Sequence, residues 1–191
     1  ERILLENKAD LIAMATPLIA DPYLPNKARA GQLEDIRMCT ARCNCWDDLM
    51  SGKSITCSVN ARVGKESEYS IIAAKKSKKG FVIGGGPAGM EAARVAALRG
   101  HRVTLYEKRD RLGGHLIEGS VPAFKSDIKM LNEYYVTLLG KMGIKIELGK
   151  EVTPELIKKM KPDVVIIATG STQDIPDIPG IEKNNVITAI D

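Results

Sequence analysis

All four cysteines of the 191-residue chain fall close together, as Cys39-Thr40-Ala41-Arg42-Cys43-Asn44-Cys45 and then Cys57. Thiolates ligate soft metal centres, and four of them complete the set for one centre. Their type and spacing point to an iron–sulfur cluster or to zinc. All-cysteine zinc sites usually use two paired C-x2-4-C knuckles, whereas the second half here is the single Cys57. Free thiols are the third possibility.

A second group of residues could hold a phosphate. Gly84-x-Gly86-x-x-Gly89 follows the apolar Phe81-Val82-Ile83, encloses Pro87 and Ala88, and is followed by Ala93. Between a strand and a helix, the first glycine permits a tight turn and the second lets backbone approach a pyrophosphate. The third lets helix and strand pack closely. The helix N-terminus then presents free N–H groups to the anion. Glu107 ends the next apolar run, Val103-Thr104-Leu105-Tyr106, with Lys108 beside it. A carboxylate there can accept hydrogen bonds from both ribose hydroxyls and repels a 2′-phosphate. A metal centre beside a dinucleotide site suggests redox chemistry.

The elements that must position these residues follow from periodicity. Phe81–Ile83 and Val103–Tyr106 read as strands, and Ala88–Arg99 as an Ala-rich helix ended by Gly100. Phe124, Ile128, Leu131, Tyr135, Leu138 and Met142 step by three and four, one amphipathic helix face. The segment 144–148 alternates as a third strand. Thr153-Pro154-Glu155 caps a short helix. Asp163–Ala168 reads as a fourth, fully buried strand. The series predicts an α/β fold, a parallel doubly wound sheet with right-handed crossovers. Upstream, Leu11-Ile12-Ala13-Met14-Ala15 reads as a buried parallel strand, with Thr16 as N-cap and Pro17 opening a helix. A strand, tight turn and helix start are also how barrel enzymes build a phosphate site.

The bulk numbers exclude other classes. A hydrophobic share of 44% supports a core, and a formal charge of +4 is too small to mark a nucleic-acid binder. The Lys75-Lys76-Ser77-Lys78-Lys79 run reads as a solvated linker. No apolar stretch nears the roughly 18–20 residues of a membrane helix, and no signal peptide is visible. Clustered cysteines without a secretory signal fit a reducing, cytoplasmic setting. The chain starts at Glu1 inside an apparent helix (Ile3-Leu4-Leu5) and stops just after Val186-Ile187-Thr188-Ala189-Ile190. It reads as a piece of a longer protein.

Two further motifs narrow the dinucleotide. Leu112-Gly113-Gly114 follows Glu107, and Ala168-Thr169-Gly170 ends the fourth strand. With the glycine motif these resemble the FAD domain of the glutathione reductase superfamily. There Gly113 and Gly114 would pass beside the FAD, and Ala168-Thr169-Gly170 would mark the crossing towards an NAD(P)H domain. Together with Ala9–Met14, Pro17–Pro22 and Cys39 through Asn60, the whole chain resembles the iron–sulfur branch of the old yellow enzyme family. That branch includes 2,4-dienoyl-CoA reductase, enoate reductases and trimethylamine dehydrogenase.

The resemblance implies a layout and a chemistry. Residues 1–36 would end an FMN-binding barrel, 37–66 form the four-cysteine loop, 67–79 a linker, and 80–191 an incomplete FAD domain. Cys39, Cys43, Cys45 and Cys57 would hold a [4Fe–4S] cluster carrying electrons between FAD and FMN. Gly84, Gly86, Pro87, Ala88, Gly89, Glu107, Lys108, Gly113, Gly114, Val152, Ala168, Thr169 and Gly170 would hold FAD (or ADP), and Thr16 would meet the FMN phosphate. The parent would pass electrons from NAD(P)H through these groups to an activated C=C bond in a small-molecule substrate, with no catalytic residue in this piece. An amine dehydrogenase type with ADP in the second site is the rival within the fold. A non-catalytic nucleotide-binding module with structural zinc is the rival outside it. The family spaces its first cysteines C-x2-C-x2/3-C, so Cys43 lies one place late. It also often has Gly-Arg where Ala15-Thr16 stand, which removes one charge from the FMN phosphate site.

Smaller candidates read as structural. His101 is a turn residue, His115 packs locally beside Gly114, Trp46 covers the cysteine loop, and Asn60 and Arg62 order that loop or lie on the surface. Residues 1–36, without barrel neighbours, are expected to pack on the dinucleotide domain or on a second copy of the chain.

Overall fold

A computed structural model describes residues 2–188. Ala189 and Ile190 of the last apolar run lie outside the described residues. The N-terminal part holds four short helices, α1 (Arg2–Leu5), α2 (Thr16–Ala20), α3 (Leu24–Arg29) and α4 (Asn44–Met50), with a 3-10 turn at Leu33–Asp35. The rest alternates β1 (Lys79–Ile83), α5 (Pro87–Leu98), β2 (Arg102–Tyr106), α6 (His115–Gly119), α7 (Ser126–Lys141), β3 (Lys145–Glu147), α8 (Pro154–Met160) and β4 (Val164–Ile167), with a 3-10 turn at Ala123–Lys125 before α7.

The four strands form one parallel sheet in the order β3-β2-β1-β4. Phe81 stands opposite Thr104 on one side and Val165 on the other, and Leu105 opposite Ile146. The strand order turns between β1 and β4. In doubly wound sheets the crevice beyond the carboxyl ends at such a switch is where ligands bind. The central strands carry the core: Phe81, Val82 and Leu105 are essentially inaccessible, as are Met90 and Ala93 of α5 and Leu139 of α7. Burying a large apolar side chain of this kind contributes about 1.5–3 kcal/mol, so α5 and α7 are fixed by their inner faces. The Ala-rich sequence of α5 lets it lie close to β1 and β2.

Several sequence expectations shift here. The apolar β4 is an edge strand, not a fully buried one: Ile167 is 75% exposed, because only β1 flanks it among the described residues. The third strand is shorter than expected, with Leu148 past its end and exposed. Phe124 belongs to the 3-10 turn before α7 and is exposed, so the buried face of that helix is Leu131, Tyr134, Tyr135 and Leu139. Thr153 caps α8 as its sequence predicts, its Oγ1 accepting from the Leu156 N–H at 3.3 Å.

The largest correction is at Leu11–Ala15. No strand forms there, and Leu11 is 88% exposed, since no neighbouring strand offers its backbone a ladder. Thr16 is the first helical residue rather than the N-cap; Ala15 takes that position without a side-chain cap. From Ala20 onward the segment does pack on the sheet domain. Ala20 joins the buried core. Asp21, 2% exposed, accepts from Lys27 Nζ (2.6 Å), the Arg37 N–H (2.9 Å) and the Tyr23 N–H (3.1 Å). Lys141 of α7 reaches Glu34 and Asp35 at 2.9 and 2.7 Å.

Candidate dinucleotide and thiolate sites

The glycine motif is shaped by the close meeting of β1, α5 and β4. Gly84 has φ +108°, a conformation L side chains avoid, and a Cβ there would lie 2.2 Å from the Ala168 carbonyl oxygen. A Cβ on Gly89 would sit 1.8 Å from the Gly84 carbonyl oxygen, so the helix could not approach the strand turn. Gly86 differs. A Cβ there would meet nothing closer than the Gly114 Cα at 3.9 Å. Protein packing does not demand glycine at 86, and the space a side chain would fill is at the start of α5. The first N–H groups of that helix have no partner within it.

Glu107 is 7% exposed and locked in place. One carboxylate oxygen accepts from the Gly85 N–H at 2.5 Å and the other from the Arg109 N–H at 2.8 Å. The carboxylate is thereby pinned between the glycine turn and the end of β2. Beside it lies a cavity of about 230 Å³ beyond the strand ends. Gly84, Glu107, Lys108, Val152 and Thr169 line it together. Tyr106, Lys150 and Glu151 line it as well, and the sequence analysis did not select them. The rule that ligands sit beyond the carboxyl ends of parallel strands would have found the last two, since they follow β3. Lys150 Nζ lies 5.7 Å from the Tyr106 ring centroid.

Gly113 and Gly114 close the other side. The Gly113 N–H donates to the Gly85 carbonyl at 2.8 Å, and a Cβ on Gly114 would lie 2.9 Å from the Gly86 Cα. Ala168 donates its N–H to the Ile83 carbonyl at 2.8 Å, and Gly170 follows with φ +75°. Pro87 and Ala88 form the first turn of α5. His115, first residue of α6, places Nε2 3.3 Å from the Ser171 carbonyl oxygen, bridging the segments after β2 and β4. His115 also faces Glu118 at 3.7 Å. Burial alone would push the Glu118 carboxyl up, but its own backbone and Arg109 at 2.6 Å, with His115, hold it below its ordinary value. Thr16 stands apart from this crevice, exposed on the five-residue α2. His101 is a turn residue whose Nδ1 accepts from the Lys78 N–H at 3.2 Å.

All four cysteines line one small cavity of about 20 Å³. Cys39, Cys45 and Cys57 are half-buried, and Cys43 is exposed. Cys39 and Cys57 pack against the main core, so the sheet domain is the platform for this loop. Around the late Cys43 the backbone departs from ordinary geometry. Ala41 (φ +51°) and Cys43 (φ +61°) are both left-handed, an uncommon state for residues other than glycine. Cys43 then caps α4. The segment around Cys57 is tied to α4 by Asp48, which accepts from the Thr56 N–H (2.9 Å) and hydroxyl (2.5 Å), and by Ser58 donating to Asn44 Oδ1 (2.9 Å). Asn60 orders the following loop from a buried position, donating to the Ile19 carbonyl at 2.8 Å. Trp46 is 60% exposed and is not among the residues that line the cavity. Among the described residues no group of three His, Cys, Asp or Glu side chains is gathered as a single ion would need.

The comparisons agree with this architecture. The pyridine nucleotide-disulphide oxidoreductase family model matches residues 78–191. A cinnamate reductase of Clostridium sporogenes is 41% identical over 181 residues, covering 94% of this chain and 27% of the relative. A metal reductase of Desulforamulus reducens is 44% identical over 197 residues, covering 100% of this chain and 29% of the relative. Among solved structures, a 2-naphthoyl-CoA reductase in complex with 2-naphthoyl-CoA superposes with a TM-score of 0.94 at 41% identity, covering 99% of this chain and 29% of that one. The chain therefore spans between a quarter and a third of the length of these relatives.

Proposed function

The chain belongs to the pyridine nucleotide-disulphide oxidoreductase family, and within it to the old yellow enzyme and 2,4-dienoyl-CoA reductase-like group. From that premise we propose that it is the electron-delivery part of an NAD(P)H-dependent flavin and iron–sulfur reductase of activated C=C bonds. One observation carries the reading. A glycine cradle with a pinned ribose carboxylate and a cavity lined by four thiols share one rigid platform.

The residues fit FAD in the cradle. Gly86 leaves room for the pyrophosphate at the start of α5, and Glu107 faces the cavity suited to the adenosine half, with Lys108, Val152 and Thr169 as its walls. Gly113, Gly114, Ala168 and Gly170 bound the side where the rest of the cofactor would run. The donor set around the second cavity, four thiols and no imidazole, fits a [4Fe–4S] cluster. When bound, FAD would accept two electrons from a nicotinamide and release them singly. Glu107 orients the adenosine end. Gly84 and Gly89 hold the strand turn and helix at the spacing the pyrophosphate needs. Cys39, Cys43, Cys45 and Cys57 would hold the metal centre.

We assign residues 1–36 to the end of an FMN barrel, 37–66 to the cluster loop, 67–79 to a linker and 80–191 to the dinucleotide domain. FMN would be held mainly by barrel residues outside this chain, with Thr16 adding one hydroxyl. The test is the full-length protein purified without oxygen. It should be brown, yield extractable FAD and FMN, and consume NADH or NADPH in the presence of an α,β-unsaturated acid or thioester. A colourless, zinc-loaded protein without flavin would overturn the reading.

A further inference from the structure

We propose that the cavity between α3, the loop after Cys57 and the flanks of α5 and α7 that carry Glu91, Arg94 and Tyr134 binds a small tetrahedral oxyanion of the phosphate class. The cavity has a volume of about 310 Å³ and lies away from both sites described above. Of its three carboxylates, the exposed Glu66 accepts from the Gly64 N–H at 3.2 Å through one oxygen, while Asp21 is engaged by Lys27 and two backbone N–H groups, and Glu91 is engaged by both arms of Arg94 (2.7 Å each) and by the Tyr135 hydroxyl (3.2 Å).

Its donors are not. Arg37 uses only Nε, towards the Ala20 carbonyl at 3.0 Å, which leaves both terminal nitrogens without a protein acceptor. Arg62 makes a single long bond from Nη2 to the Glu66 carbonyl at 3.4 Å, and its Nε is buried with no acceptor. Tyr134 is 7% exposed, lines the same cavity, and its hydroxyl has no partner among the described residues. Buried polar groups ordinarily find partners, and the Arg62 Nε has none; the Arg37 terminal nitrogens and the Tyr134 hydroxyl open on the same cavity, so an acceptor there would meet all three. They come from three separate elements, which suits an anion with oxygens in several directions better than a planar carboxylate. Guanidinium groups match such oxyanions through paired N–H donors. An anion held there would tie the N-terminal segment, the post-cysteine loop and the dinucleotide domain at a single point.

The experiment is a titration of the 15N-labelled chain with inorganic phosphate, chloride being withdrawn to keep ionic strength constant. The side-chain Nε–H signals of Arg37 and Arg62 and the amides of residues 60–64 should move saturably. Arg62→Gln should weaken binding about tenfold, the scale of a charge-assisted hydrogen bond. Tyr134→Phe removes only a hydroxyl, leaves the fold unchanged, and should weaken binding several-fold. It decides the matter if Arg62→Gln fails to fold. Acetate should bind more weakly than phosphate. Shifts confined to the glycine turn at 84–89, an unsaturable response, equal binding of acetate, or unchanged affinity in Tyr134→Phe would each overturn the proposal.

Discussion

Glu107 spends one backbone hydrogen bond on each carboxylate oxygen before any ligand arrives. Its loss should therefore act twice. Glu107→Ala should weaken FAD or ADP binding by about 1.5–3 kcal/mol, the scale of hydrogen bonds to a charged group, when measured by calorimetry on the full-length protein. It should also lower the melting temperature of this chain alone, because the Gly85 N–H is left buried without an acceptor. Unchanged binding would refute the ribose role, whatever happens to the melt. Gly89→Ala should be worse for folding than Gly86→Ala, since only the former drives a Cβ into backbone. Circular dichroism melts of the two variants compare them directly. The glycines and Glu107 were legible because each type answers a local demand. Lys150 and Glu151 were less legible, since their residue types do not mark them; only their place after β3, which the sheet brings beside the end of β2, points to them.

At the scale of elements, the cysteine loop owes its form to its ties as much as to its thiols. Cys57→Ala should remove most of the iron from a holo protein, which should otherwise hold about four irons per chain. Asp48→Ala should retain an intermediate amount, because it frees the segment before Cys57 from α4 without removing a thiol. Iron analysis after anaerobic purification of the full-length protein measures both. The order β-α-β was readable from strand, glycine turn and Ala-rich helix. The exposure of β4 was not, because an apolar strand reads the same in the middle of a sheet and at its edge. Phe124 shares the spacing of the α7 face, but the chain turns as a 3-10 segment before that helix begins. Leu11–Ala15 has the composition of a buried strand, and composition cannot supply the neighbouring backbone that a strand requires.

Across the whole molecule, the N-terminal segment is joined to the sheet domain by charge as well as by packing. Burial alone would raise the Asp21 carboxyl, but Lys27 and the Arg37 and Tyr23 N–H groups outweigh it and hold the group below its ordinary value. The charge link across the joint is Lys141 with Glu34 and Asp35, and the depressed Asp21 value stabilises the N-terminal segment itself at neutral pH. That contribution is lost as pH falls below about 4, through the range where an ordinary aspartate and then the folded group take up protons. Asp21→Asn should flatten the acid limb of a melting-temperature profile, and an unaltered limb would show that Asp21 does not stabilise the N-terminal segment. Ahead of it, Leu11, Ile12 and Met14 are exposed together. The isolated chain should self-associate in sedimentation, and Leu11→Ser with Ile12→Ser should reduce this. No helix among the described residues is long and apolar enough to cross a membrane. The packing of Cys39 and Cys57 on the sheet domain also sets a timetable. During synthesis the thiols leave the ribosome before the strands that support them, and at 5–20 residues per second the wait for β4 is roughly 5–20 s. For that interval the thiols hang on unfolded chain, open to oxidation and to stray metals, so a metal centre held by them would have to be loaded after the nascent domain has closed.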